Sequence, residues 1–188
     1  MTVELDHEEL EPEAALAEAL AWLEDEPDNP DAHYEAGLAY GDLGQLEEQR
    51  REFLRVLQLD EASEQAPLAD CERIIGDEVE ATLAELPPQI QERLGPVTIL
   101  VEPRPTRAAV EDGVDPRLLG LFEGATSEEL SGANAPLAPT RILIFSHNLA
   151  SAFDSAEALR DEVRVTVLHE IGHFFGLDED DMERLGLD

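Results

Sequence analysis

The sequence predicts an α+β chain whose N-terminal third is all helix, and three observations predict it. Apolar residues recur at three- and four-residue steps through four segments between residues 13 and 86, the mark of helices with one covered face. Beyond Pro87 and Pro88 the period changes: residues 97–102 and 141–145 are β-branched and aliphatic runs, as buried or half-buried strands are. A strongly apolar helix over residues 161–175 follows them. Two domains are expected, a helical module over residues 1–62 and an α+β domain over residues 70–188.

In the first helix, residues 13–24, Ala15, Leu16, Ala19, Leu20 and Leu23 share a face. Pro27, Asn29 and Pro30 stop it. Asn29 can cap a second helix with Pro30 at its first position, and Asp31 adds favourable charge to that first turn. The second helix carries Tyr34, Gly37, Leu38 and Tyr40, turns at residues 41–44 and hands over to a third at residues 46–59. Three short helices with tight turns make an antiparallel array. The spacing of Gly37, Tyr40 and Phe53 resembles a tetratricopeptide repeat over about residues 28–61. The helix before it is similar to the second half of a preceding repeat, and that likeness puts Trp22 at a packing position, so it is expected in the core. His33, Ala36, Gln49 and Glu61 stand where that pattern prefers Trp, Leu, Ala and Pro. One and a half repeats do not bury a core alone, so this module is expected to pack on the next domain or on another copy of the chain. A helical-repeat module also implies a protein partner.

A fourth helix, residues 70–86, sets Ile74, Ile75, Val79, Leu83 and Leu86 on one side before Pro87 and Pro88 end it. The two strands follow, with residues 118–122 a weaker strand candidate and residues 123–140 a loop.

Charge narrows the partners. Against 45 Asp and Glu stand 12 basic residues, every one Arg, for a formal charge of -33. Such a surface repels nucleic acid phosphates and anionic headgroups, so neither nucleic acid nor membrane is an expected partner. A solvated surface that keeps a protein soluble accounts for this charge; steering of cationic substrates is the sharper reading. The single cysteine, Cys71, leaves no internal disulfide and no Cys cluster for metal, which fits a reducing compartment. The N-terminus has no basic region followed by an apolar stretch, and no apolar run approaches the roughly 20 residues of a membrane span. A cytoplasmic protein is expected.

The chemistry lies in the last helix. Val163, Val167, Leu168, Ile171, Phe174 and Phe175 surround His169, Glu170 and His173, so the polar trio sits in a helix buried on most sides. Histidines four residues apart put both imidazoles on one face, about 5 to 6 Å apart at Cβ, close enough to share one tetrahedral zinc. Glu170 then stands beside the metal without binding it and can take a proton from a metal-activated water. Random placement of this composition gives the spacing about 0.02 times per chain. A third ligand is required. Gly176 can take the left-handed conformation that folds the chain back, and Asp178, Glu179, Asp180 and Asp181 follow, with Glu183 beyond them. These acidic residues read either as a solvated segment or as the source of that ligand. His147 is expected as a surface loop histidine; donation to a developing oxyanion is its other reading.

Residues 167–186 resemble the end of the minimal zincin-like metallopeptidases, and the likeness extends over about residues 70–188, including Leu118-Leu-Gly-Leu-Phe-Glu-Gly124. That family's motif is His-Glu-x-x-His-x-x-Gly-x-x-Asp. The resemblance implies a reduced zincin fold, peptide or protein substrates, Glu170 as general base, and zinc bound by His169, His173 and position 179. Here that position is Glu179 rather than Asp, with Asp178 the alternative. A Met-turn is absent, since Met182 follows the motif too closely to form one.

Overall fold

The computed structural model describes residues 11–63, 70–95, 97–131 and 140–186. Their elements in chain order are helices α1 (Pro12–Asp25), α2 (Pro30–Asp42), α3 (Leu46–Ala62), α4 (Cys71–Glu85) and α5 (Pro88–Leu94), strand β1 (Thr98–Glu102), helix α6 (Arg107–Glu111), strand β2 (Gly120–Glu123), helix α7 (Ser127–Ser131), strand β3 (Arg141–Phe145), and helices α8 (Ser146–Ala152), α9 (Ala156–Phe174) and α10 (Glu179–Leu185). The chain is mostly helical with one small sheet. Two compact units emerge: residues 11–63 with 105–116, and the described residues of 70–104 and 117–186.

In the helical unit, α2 packs between α1 and α3. Asn29 caps α2, its Oδ1 accepting from the backbone N–H of Asp31 at 2.9 Å and of Ala32 at 3.1 Å. Helices α2 and α3 meet closely because residue 37 is glycine; a Cβ there would lie 2.5 Å from the Phe53 ring. Tyr34 stacks on that ring with centroids 5.9 Å apart. His33 is half-buried between Glu52, whose Oε2 lies 2.7 Å from Nδ1, and the carbonyl of Pro27. The unit also holds α6, a segment that the sequence reading assigns to the second domain. Its Val110 is fully buried in a cluster with Phe53 and Leu57, and the Tyr34 hydroxyl donates to Asp115 at 2.7 Å. Two expectations fail on α1. Trp22 is 40 % exposed and Leu20 41 %, not core, because α1 packs on α2 along the line centred on the buried Ala19, and both residues stand off that line.

The second unit is built on a three-stranded sheet of order β1-β3-β2, with β1 parallel and β2 antiparallel to β3. Ile142 and Ile144 of the central strand are fully buried. They join Ile74, Ile75 and Val79 of α4, Leu149 of α8 and Leu159, Val163, Val167, Ile171 and Phe174 of α9 in one core. The weaker strand candidate is a strand, β2, shifted slightly along the chain. Residues 123–140 are not all loop, since α7 starts behind Thr126, whose N–H donates to Glu129 at 2.8 Å while its Oγ1 accepts from the Glu129 N–H. Residues 132–139 lie outside the described residues. The last apolar helix begins at Ala156 rather than 161 because Ser155 caps it through the Ala158 N–H. His147 stands in a helix, α8, and not in a loop: the chain turns directly from β3 into that helix, which buries Ser146, Asn148 and Leu149. Among the described residues, no helix is long and apolar enough to cross a membrane.

Candidate metal centre

Helix α9 carries His169 and His173 one turn apart, and their Nε2 atoms converge to 3.0 Å. Both rings are partly exposed, with 23 % and 28 % of each side chain open. The Nδ1 of His173 faces the carbonyl oxygen of Leu177 at 3.3 Å, so it carries the proton and leaves Nε2 as the lone-pair nitrogen. Gly176, with φ +81°, ends the helix in the left-handed region and reverses the chain.

The reversal leads into α10, which starts at Glu179. The acidic segment, read either as solvated or as the source of the third ligand, is helical and closed at its start by a reciprocal cap. Asp178 Oδ1 accepts from the Asp181 N–H at 3.0 Å, and the Asp181 carboxylate accepts in turn from the Asp178 N–H. Asp178 is thus engaged with its own helix, while Glu179 reaches the histidines, its oxygens 3.4 Å from His173 Nε2 and 3.8 Å from His169 Nε2. Among the described residues, His169, His173 and Glu179 form a group whose donor atoms lie within 4.8 Å of one another. Donors about 2.05 Å from a tetrahedral zinc lie about 3.3 Å apart, and two imidazole nitrogens with one carboxylate oxygen are a set that zinc takes with a fourth position open. The 3.0 Å between the two Nε2 atoms and the 3.4 Å from Glu179 Oε1 to His173 Nε2 lie near that spacing, and the 3.8 Å approach to His169 is made by the other oxygen, Oε2.

Glu170 lies next to this group yet is 6 % exposed. Burial, the largest influence, pushes its carboxyl up to about 7; His169 and the Phe122 N–H that the carboxylate accepts favour the ionised form, and Glu179 opposes it. Strand β2 makes room for this side chain. A Cβ on Gly120 would lie 2.8 Å from Glu170 Oε1, 2.9 Å from its Cγ and 2.8 Å from Thr166 Cγ2. Because Leu119 O accepts the Phe145 N–H, hydrogen-bonded pairs to β3 fall at residues 119, 121 and 123. The main-chain groups of Gly120 and Phe122 therefore face away from β3, and the Phe122 N–H turns to Glu170.

The sequence reading missed Gly120 and Phe122 as contributors, although a glycine inside a strand is itself a sign of close approach. It also missed Gly172 and Met182, which join α9 to α10: a Cβ on Gly172 would lie 2.6 Å from Met182 Sδ and nearer still to Cε. His147 is not part of the converging group; its backbone N–H donates to Pro103 O at 2.9 Å.

No curated protein matches the chain. The pattern of the zincin-like metallopeptidases matches residues 94–187, which are 94 of the 188 residues. That span begins at the last residue of α5, runs through α10 and takes in every residue of the site, and the chain belongs to the zincin-like metallopeptidase family.

Proposed function

We propose that the protein is a zinc-dependent peptidase in which His169, His173 and Glu179 hold the ion and Glu170 is the general base. The convergence of one donor atom from each of three residues to within 4.8 Å, with a buried carboxylate beside them, carries this reading. Glu179 is preferred to Asp178 because the Asp178 carboxylate caps α10. When bound, zinc supplies Lewis acidity toward a peptide carbonyl and lowers the pKa of an attacking water to about 7. Glu170 takes the proton of that water and passes it to the departing amine. The Phe122 N–H holds the carboxylate in place for both transfers. The outward main-chain groups of β2 favour an extended peptide that lies along this edge as a further strand.

Metal analysis of the purified chain, with a broad peptide library digested by wild type and by Glu170→Gln, tests the reading. One zinc per chain and cleavage lost in Glu170→Gln are expected. One zinc with no cleavage by the wild type would instead support a metal-binding protein that acts through contacts of its helical unit.

A further inference from the structure

We propose that Met182, seated on Gly172, is the positioning residue that sets Glu179 against the two histidines, a role that rests on Glu179 being the third ligand. The Glu179 side chain is 75 % exposed, so its surroundings do not fix it. Its helix, α10, has seven residues, too few to hold their shape without tertiary contact. Met182 is the buried residue of α10, with no exposed surface, and three residues from Glu179 it lies on the same helical face.

Its seat is specific. Gly172 leaves open the volume that Met182 Sδ and Cε occupy, and Leu177 approaches the same point, its Cδ1 at 3.5 Å from where a Cβ would be. Gly172 is three residues after His169 and one before His173, so this socket shares a helix with both nitrogen donors. The chain between them, reversed at Gly176 and capped by Asp178, sets the start of α10, and Met182 closes the loop from the far side. A ligand geometry must be held to about 0.5 Å to bind productively, which an unanchored, exposed glutamate does not supply.

Zinc affinity of the full chain, measured by competition with a chelating dye, tests this without any peptidase assay. Met182→Ala is expected to weaken zinc about 10- to 100-fold, the range for residues that orient ligands, and Met182→Leu to stay within about threefold of wild type. Glu179→Ala is expected to weaken it at least as much. The double variant should be no weaker than Glu179→Ala alone, because Met182 acts through Glu179. Met182→Val replaces the alanine variant in the same cycle if the latter does not fold. Wild-type affinity in Met182→Ala, or losses that add in the double variant, overturns the proposal and leaves the ligand set standing. Wild-type affinity in Glu179→Ala overturns both. Neither result depends on whether the protein cleaves peptides.

Discussion

Gly120 and Glu170 are in direct apposition: residue 120 has no side chain, and the carboxylate proposed above as general base crowds the space that a Cβ would take, with Oε1 2.8 Å from it. Gly120→Ala is therefore expected to displace Glu170 from the Phe122 N–H while leaving His169, His173 and Glu179 in place. Zinc stoichiometry should be retained and kcat should fall about 100-fold, the lower end of what general acid–base catalysis contributes. Overpacking of this buried contact should cost about 1 to 3 kcal/mol of stability. Parallel zinc titration, steady-state kinetics and thermal melts check all three, and a kcat equal to wild type would refute the apposition as functional.

Burial of Glu170 also gives the metal-free protein a defined pH dependence. Its folded carboxyl sits at about 7, above the usual 4.5. The folded state thus binds a proton more tightly than the unfolded state. The stability associated with the protonated group is fully present below about pH 4.5 and is lost as pH rises through about 7, by about 3 kcal/mol in total. Glu170→Gln does not titrate. In the presence of a chelator its unfolding free energy, relative to wild type, should rise by about that amount between pH 4 and pH 8. Urea melts at a series of pH values measure the difference, and curves that stay parallel would contradict it.

How much of this was legible depended on whether a signal was local. Helix α9 announced itself because an apolar surround and a His-Glu-x-x-His spacing lie in one contiguous segment. Its start was equally local, since Ala156 and Leu159 carry the apolar face back to the Ser155 cap and both join the core, yet residues 156–160 lay outside the expected helix. Residues 178–181 read equally as a solvated acidic run, and the Asp178 and Asp181 exchange that makes them a helix start shows only once the cap closes. Gly120 and Phe122 contribute through register: which strand residues point their N–H outward follows from pairing with β3, a partner about twenty residues away. Trp22 failed for a related reason, because its core place was inferred from likeness to a repeat, which does not say what covers that face here.

The placement of α6 with the helical unit has a consequence for stability. Val110 is fully buried against Phe53 and Leu57, although it lies between β1 and β2 in the chain. Val110→Ala is expected to destabilise the helical unit by about 2 kcal/mol and to lower hydrogen-exchange protection in α3. Zinc affinity should not change. Unaltered protection of α3 amides would mean that α6 adds nothing to that core.

The choice between adjacent carboxylates can be made by separating capping from charge. Asn serves as an N-cap about as well as Asp, so Asp178→Asn keeps α10 capped and removes one negative charge. Asp178→Ala removes the cap, at a cost of about 1 kcal/mol. Glu179→Gln keeps size but loses the anionic oxygen that zinc prefers. With Glu179 as ligand, Asp178→Asn should bind zinc nearly as wild type does, and Glu179→Gln should bind it far more weakly. Zinc at 100 times its Kd stabilises a folded chain by about 2.7 kcal/mol, so the zinc-dependent rise in melting temperature reports the same ranking. That rise should survive Asp178→Asn, shrink in Glu179→Gln and vanish in His173→Ala. A rise lost in Asp178→Asn and kept in Glu179→Gln would transfer the ligand role to Asp178, which would have to give up its bond to the Asp181 N–H to take it.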